Sequence, residues 1–244
     1  MIILKIGGAV ITDKSKGVKS SAKIDEIKRV AKEIANNLEG KMILVHGVGS
    51  FGHPYVEDFK LKERKDLKGI IKAHLECKKL NLLVCEALME QGLNPYPIHP
   101  FTSFKIENGR IIFDHKFIEQ IMEEGFIPVL HGDMVYNVTD RRFEVISGDK
   151  VVIELAQIFD AKKVGFATDV EGVTINGKVA KIIERKHIHK ILKVVENAKG
   201  KSDVTGGMRG KLIAISKLKV DTYIFHAKYI NKFLKNEHVG TLIR

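Results

Sequence analysis

Several apolar runs in this chain end in glycine, and each carries a charged or hydrogen-bonding side chain with it. Ile2–Ile6 contains Lys5 and ends in Gly7-Gly8-Ala9. Met42–Val45 ends in His46-Gly47-Val48-Gly49-Ser50-Phe51-Gly52-His53. Ile127–Leu130 ends in His131-Gly132-Asp133, and Lys163–Ala167 in Thr168-Asp169-Val170-Glu171-Gly172. Small residues in succession leave backbone N–H groups open, and such groups cradle phosphate oxygens. Open α/β sheets bind their ligands at strand ends of this kind. The chemistry these residues suit is the handling of phosphorylated molecules.

Cations are placed to join in. Lys5 lies inside an apolar run, where an ammonium group is costly to bury unless it meets an anion. Asp203-Val-Thr-Gly-Gly-Met-Arg-Gly-Lys211 puts Lys211 in the first turn of a helix, where the backbone already favours anions. Lys14 sits in a polar stretch, Thr12–Lys23, that reads as a flexible flap. Asp149 follows Ser147-Gly148 at a helix start, either as a first-turn acid or as a carboxylate that orients two lysines. His53 directly follows the glycine loop, where an imidazolium would donate to a phosphate oxygen. His46 and His131 end strands and read as structural.

Gly47, Gly49 and Gly52 match Gly-x-Gly-x-x-Gly, but not a dinucleotide fingerprint. That fingerprint opens the first βαβ unit and places an acid about 20 residues further on. Here it follows the second strand and precedes a highly charged, non-strand stretch, 57–68. A P-loop of the form Gly-x-x-x-x-Gly-Lys-Ser/Thr is also absent.

The elements that must carry these loops alternate. Strands are expected at Ile2–Ile6, Met42–Val45, Leu93–Ile98, Ile127–Leu130, Lys163–Ala167, Thr222–Phe225 and Val239–Ile243. Helices are expected over Ile24–Leu38, Gly69–Gln91, Asp114–Glu124, Ser147–Phe159, His187–Ala198, Met208–Leu218 and Lys228–Lys235, with a loop over Lys199–Gly207. Hairpins are expected at Phe104–Phe113 and Met134–Ile146. Near-continuous apolar strands alternating with helices predict a mostly parallel sheet covered on both faces. The helix with Ala73, Cys77, Leu80, Val84 and Leu88 reads mainly as core, with one wall available for an apolar ligand tail.

The 244 residues, 44% hydrophobic and 29% charged, suit a folded globular chain. No apolar run approaches the ~20 residues of a membrane span, and no signal-peptide pattern is seen. The net charge is +11, but the lysines are scattered over the helices without interleaved aromatics, which argues against a nucleic-acid surface. Cys77 and Cys85, eight residues apart on one helix, lie ~12 Å apart along its axis, too far for a disulfide. Reduced thiols suit a cytoplasmic protein.

Taken together, Lys5-Ile-Gly-Gly-Ala, His46-Gly-Val-Gly-Ser-Phe-Gly-His53, His131-Gly-Asp, Ser147-Gly-Asp149, Thr168-Asp-Val-Glu-Gly172 and Asp203-Val-Thr-Gly-Gly-Met-x-x-Lys211 resemble the amino acid kinase superfamily. The resemblance runs from the first strand to the last. It is closest to the branch that phosphorylates isopentenyl phosphate to isopentenyl diphosphate, a step of isoprenoid biosynthesis in the alternative mevalonate route. It implies a single open αβα sandwich with a mainly parallel central sheet and usually a homodimer. Residues 1–146 would form an acceptor-binding and dimerisation lobe, and 147–244 an ATP-binding lobe. ATP would be the phosphoryl donor, with Mg²⁺. By match, Lys5, Lys14 and Lys211 would contact the transferring group and Asp149 would organise the lysines. Gly7, Gly8, Ala9 and Gly49 would line the ATP phosphates, with Thr168, Asp169 and Gly207 by the nucleotide. Val48, His53 and Gly132 would hold the acceptor phosphate. Three positions depart from the family pattern. Ala9 stands where Ser is common, Val48 where Gly or Ala is usual, and Glu171 where Asp is common. Val48 fits such a loop only with a negative φ. Phosphonate kinases of the fosfomycin-resistance type share the loop and histidine, and uridylate kinases are more distant. A non-catalytic ligand- or nucleic-acid-binding protein on the same fold is the reading from a different class.

Overall fold

The computed structural model describes residues 1–196 and 207–244. β1 (Ile2–Ile6) and the short helix α1 (Gly8–Ile11) lead through a loop into α2 (Ile24–Asn37). β2 (Met42–His46) is followed by α3 (His53–Asp58) and the long α4 (Leu67–Glu90). Asp66 caps α4 by accepting from the Gly69 N–H. Next come β3 (Pro95–Pro97), α5 (Pro100–Ser103), β4 (Phe104–Glu107), β5 (Arg110–Phe113) and α6 (His115–Glu123). β6 (Ile127–His131), β7 (Asp133–Asn137) and β8 (Arg142–Ile146) precede α7 (Gly148–Ile158), which Ser147 caps through the Lys150 N–H. β9 (Lys163–Thr168), β10 (Thr174–Ile175), β11 (Lys178–Val179), β12 (Ile182–Ile183) and α8 (Ile188–Glu196) follow. α9 (Gly207–Ile215), β13 (Thr222–His226), α10 (Ile230–Leu234) and β14 (Thr241–Ile243) complete the described chain.

Eight strands form the central sheet in the order β12-β14-β13-β9-β1-β2-β6-β3, parallel at every pairing except β13 with β14. Every residue of β1, β2, β6 and β9 is buried. Side chains alternate between faces with a period of two. Leu4, Ile6, Met42 and Leu44 pack with Ile27, Ile34, Leu80 and Leu88 of α2 and α4. Ile3, Ile43 and Val45 pack with Val151, Val152 and Leu155 of α7 and Leu212 of α9. The result is the expected αβα sandwich. β3 holds two prolines because it is an edge strand, where a missing N–H spares the ladder.

The two expected hairpins join as one four-stranded sheet, β5-β4-β7-β8, through a parallel β4–β7 pairing that local sequence does not reveal. The stretch 12–23 is no free flap. Thr12 bridges Ala22, the Ser20 N–H donates to Ser50 O at 2.9 Å, and the Lys23 N–H to Ile11 O at 2.9 Å. The helix expected over Met208–Leu218 spans Gly207–Ile215, so Lys211 is its fifth residue rather than in its first turn. Residues 199–206 of the loop expected over Lys199–Gly207, and the end of the helix expected to reach Ala198, lie outside the described residues. No helix among the described residues is long and apolar enough to cross a membrane.

Candidate active site

Strand periodicity places Lys5. It shares the face of Ile3, the face covered by α7, and Asp149 is the second residue of α7. Lys5 Nζ lies 3.0 Å from Asp149 Oδ1, and Lys211 Nζ donates to Asp149 Oδ2 at 2.8 Å. Lys211 also stands over the Phe166 ring, 4.9 Å from its centroid. Burial opposes ionisation of the Asp149 carboxyl, but the two ammonium groups outweigh it and hold its pKa well below the carboxylate range. The arrangement is one carboxylate holding two ammonium groups at the mouth of the sheet.

The glycine loops pack on each other. A Cβ at Gly47 would lie 2.4 Å from Gly8 N, and one at Gly8 would lie 2.6 Å from Gly49 N. The Gly47 N–H donates to Ile6 O and the Gly7 N–H to Ala167 O, both at 2.8 Å. These contacts lock the ends of β1, β2 and β9 together. They leave the N–H groups of Gly8, Ala9, Val48 and Gly49 without an acceptor among the described residues. Val48 has φ −90° and ψ −19°, the negative φ that its side chain demands. Gly49, at φ +46°, is in the left-handed region, and a Cβ there would lie 1.9 Å from Thr12 Oγ1.

A cavity of about 860 Å³ opens above these loops. Lys5, Lys14, Lys211 and Asp149 all line it, as do Gly7, Gly8, Ala9 and Gly49. So do Thr168, Asp169 and Gly207 on the side of β9 and α9, and Val48, His53 and Gly132 on the side of β2 and β6. Every residue expected to serve catalysis, ATP or the acceptor phosphate therefore lines one space. Beside the β2–β6 side the wall turns apolar, with Val56, Ala73, Cys77, Met134 and Val145. Most of the α4 stripe is core as expected, and Ala73 and Cys77 are the part that reaches the cavity. Cys77 and Cys85 are free, buried thiols.

The loop that carries Lys14 is anchored by groups the sequence did not point out. Ser20 Oγ donates to Glu76 Oε2 at 2.5 Å and pairs with Tyr55 Oη at 2.9 Å. Lys19 pairs with Asp58. Glu76 is buried on α4 and takes Lys72 and Lys79, each at 2.8 Å. Burial opposes its ionisation, yet Lys72, Lys79 and Ser20 bring its pKa down to about 2 from 4.5. A carboxyl whose folded pKa lies below its unfolded one adds stability above the unfolded value and loses it as pH falls toward the folded one. The lysines reach into solvent, so screening reduces the effect to about 1 kcal/mol at neutral pH. Glu76→Gln should lower stability by that amount in urea unfolding at pH 7. The gap to wild type should close between about pH 4.5 and 2; a gap that persists there would contradict the assignment.

With the geometry in place, comparison with known proteins decides the family. The family model described as "Amino acid kinase family" matches residues 1–224. The chain belongs to the amino acid kinase family. Relatives named isopentenyl phosphate kinase from Methanocaldococcus jannaschii and Methanothermobacter thermautotrophicus are each 35% identical, covering all of this chain and 98% of theirs. A solved structure described as "X-ray structures of isopentenyl phosphate kinase" superposes with a TM-score of 0.79 at 28% identity, over all of both chains.

In this amino acid kinase, His46 and His131, read from the sequence as structural, belong to a buried polar group under the β2–β6 side whose other members went unread. Asp133 lines the cavity and pairs with His74 Nδ1 at 2.9 Å. The His131 and His99 rings meet at 2.9 Å, and Asn81 contacts His46 at 3.1 Å. Their partners come from α4 and the segment after β3, so local spacing held no signal beyond the repeated His-Gly at two strand ends.

Proposed function

We propose that the cavity transfers the γ-phosphoryl group of ATP to isopentenyl phosphate, giving isopentenyl diphosphate and ADP. The observation that carries this reading is the Lys5–Asp149–Lys211 cluster. It stands between a nucleotide-type glycine lining and a loop, Val48 to His53, that adjoins an apolar wall. Full-length likeness to isopentenyl phosphate kinases supports the acceptor.

The chemistry follows from charge. A phosphate monoester, with a second pKa of about 6, is largely dianionic at neutral pH. One of its oxygens attacks the γ-phosphorus, the bond from that phosphorus to the β-phosphate oxygen breaks, and ADP leaves. The nucleophile needs no general base. Asp149 would be a poor one, since both lysines favour its ionised form. The obstacle is repulsion between two anions. Lys5, Lys14 and Lys211, the open N–H groups and His53 offset it and align the partners. Asp149 holds the Lys5 and Lys211 ammonium groups in place through its two oxygens. The apolar wall with Ala73, Cys77 and Met134 receives the isopentenyl tail.

Mg²⁺ fits here as a nucleotide-borne ion. Among the described residues no His, Cys, Asp and Glu side chains gather as a metal cage, and Asp149 is engaged by lysines. Mg²⁺ keeps several waters and binds through substrate phosphates with one or two carboxylates. Asp169 lines the cavity at the end of β9 and is the carboxylate that would hold it. When bound, the ion neutralises charge on the transferring phosphates.

Residues 1–146 would supply the acceptor subsite and the dimer contact, and 147–244 the ATP subsite. A homodimer is supported by α4, whose exposed Leu67, Ile71, Leu75, Leu82 and Met89 fall within about 80° of arc at 100° per residue. An apolar stripe of that length on an outer helix suits a two-fold contact with a second copy. Leu82→Glu should convert the dimer to a monomer in light scattering; a monomeric wild type would overturn the dimer.

The function is tested by ATP turnover against isopentenyl phosphate, fosfomycin and UMP. Turnover of isopentenyl phosphate well above the other two is expected. A preference for fosfomycin or UMP, or salt-sensitive nucleic-acid binding without any turnover, would sink the reading.

A further inference from the structure

We propose that His46 is a positioning residue that fixes the Gly47–Val48 peptide and so aims the Val48 N–H at the acceptor phosphate, and that His131 holds the Gly132 loop in the same way. The proposal rests on the reading of Val48 and Gly132 as acceptor contacts.

The hydrogen bonds around His46 determine where its proton sits. Asn81 Nδ2 lies 3.3 Å from Val129 O, an acceptor, which fixes the orientation of that amide. The same nitrogen lies 3.1 Å from His46 Nε2. An amide nitrogen only donates, so Nε2 accepts and the neutral ring carries its proton on Nδ1. Nδ1 is 3.2 Å from Gly47 O, which accepts that proton. The described peptides are all trans, so the C=O of Gly47 and the N–H of Val48 point in opposite directions within the peptide plane. With the carbonyl held toward the imidazole, the Val48 N–H faces away from it, and Val48 lines the cavity.

The device is repeated one strand over. His131 lies in register with His46 across β2 and β6, and the two rings stack at 5.4 Å. His131 Nδ1 is 2.8 Å from Gly132 O, and its Nε2 is 2.9 Å from His99 Nδ1. Both rings are fully buried, and burial lowers their pKa values, to about 4 for His46 and about 3 for His131. Each neutral ring has one donor and one acceptor, both used. A residue that merely filled space would need neither the donor nor the repeat.

Two substitutions separate aiming from packing. Asparagine places its amide nitrogen where Nδ1 stands and keeps the bond to Gly47 O. Glutamine reaches to where Nε2 stands, presents its Oε1 there to accept from Asn81, and loses the bond to Gly47 O. His46→Gln should raise KM for isopentenyl phosphate about tenfold, the loss of one hydrogen bond to a charged group, with KM for ATP within about twofold. His46→Asn should stay within about threefold of wild type. Equal losses in both variants, tracking a fall in Tm and shared by the ATP KM, would overturn the proposal. Nitrogen-15 NMR of the wild-type imidazoles needs no variant. It should show both rings as Nδ1–H tautomers between about pH 6 and 8. An Nε2–H signal for His46 would overturn the latch with the kinase reading left standing. Absence of isopentenyl phosphate turnover in wild type would instead remove the function, and the acceptor role of Val48 with it.

Discussion

Lys5→Ala should lower kcat by about three orders of magnitude, the scale seen when one preorganised donor to a transition state is removed. Lys5 is buried in β1 and its ammonium reaches the cavity 3.0 Å from Asp149. Its charge is therefore fixed before substrate arrives and lies where charge is transferred. The substitution also leaves Asp149 with Lys211 as its one remaining lysine of the pair. The carboxyl pKa rises, and the fold loses stability because a partly buried charge has lost a partner. Lys5→Arg keeps the charge and should recover stability better than rate, since the planar guanidinium cannot occupy the same point. Steady-state kinetics with Tm measured alongside check this. A kcat near wild type for Lys5→Ala would remove Lys5 from the chemistry.

His53→Ala should abolish measurable turnover of isopentenyl phosphate, a loss of at least about a hundredfold, while ATP affinity stays within about twofold. His53 opens α3, directly after the loop whose Val48 and Gly49 N–H groups lack acceptors among the described residues, and lines the cavity with Gly132. The acceptor dianion gains most from a donor there. His53→Gln keeps a donor and should restore part of the rate. Titration of ATP into the variant is the deciding control. If ATP affinity falls instead, His53 belongs to the nucleotide subsite.

Much of this site was legible because each of its members breaks a local rule. A lysine inside an apolar strand needs an anion, and the period of two turns Lys5 toward α7 and Asp149. Val48 in a glycine loop required a negative φ, and has −90°. The glycines were legible as phosphate loops, but part of their use was not. Gly8 and Gly47 are 39 positions apart, and only the fold shows that their backbones touch. The stretch around Lys14 read as a flap because it is polar and short of apolar anchors. Its anchors are Glu76 and Tyr55, far along the chain. The joining of His46, His131 and Asp133 with His74 and Asn81 in one polar group was hidden for a related reason. On α4, His74 and Asn81 sit among apolar residues whose stripe dominates the pattern, and their partners lie on other strands.

The claim that two phosphate subsites flank one lysine–aspartate centre is tested most directly by the stereochemistry of transfer. ATP made chiral at its γ-phosphorus with sulfur and oxygen isotopes would be turned over with isopentenyl phosphate, and the configuration of the product's terminal phosphorus read by phosphorus-31 NMR. A single in-line displacement between adjacent subsites predicts inversion. Retention would mean that the protein itself is phosphorylated on the way, and would contradict direct transfer.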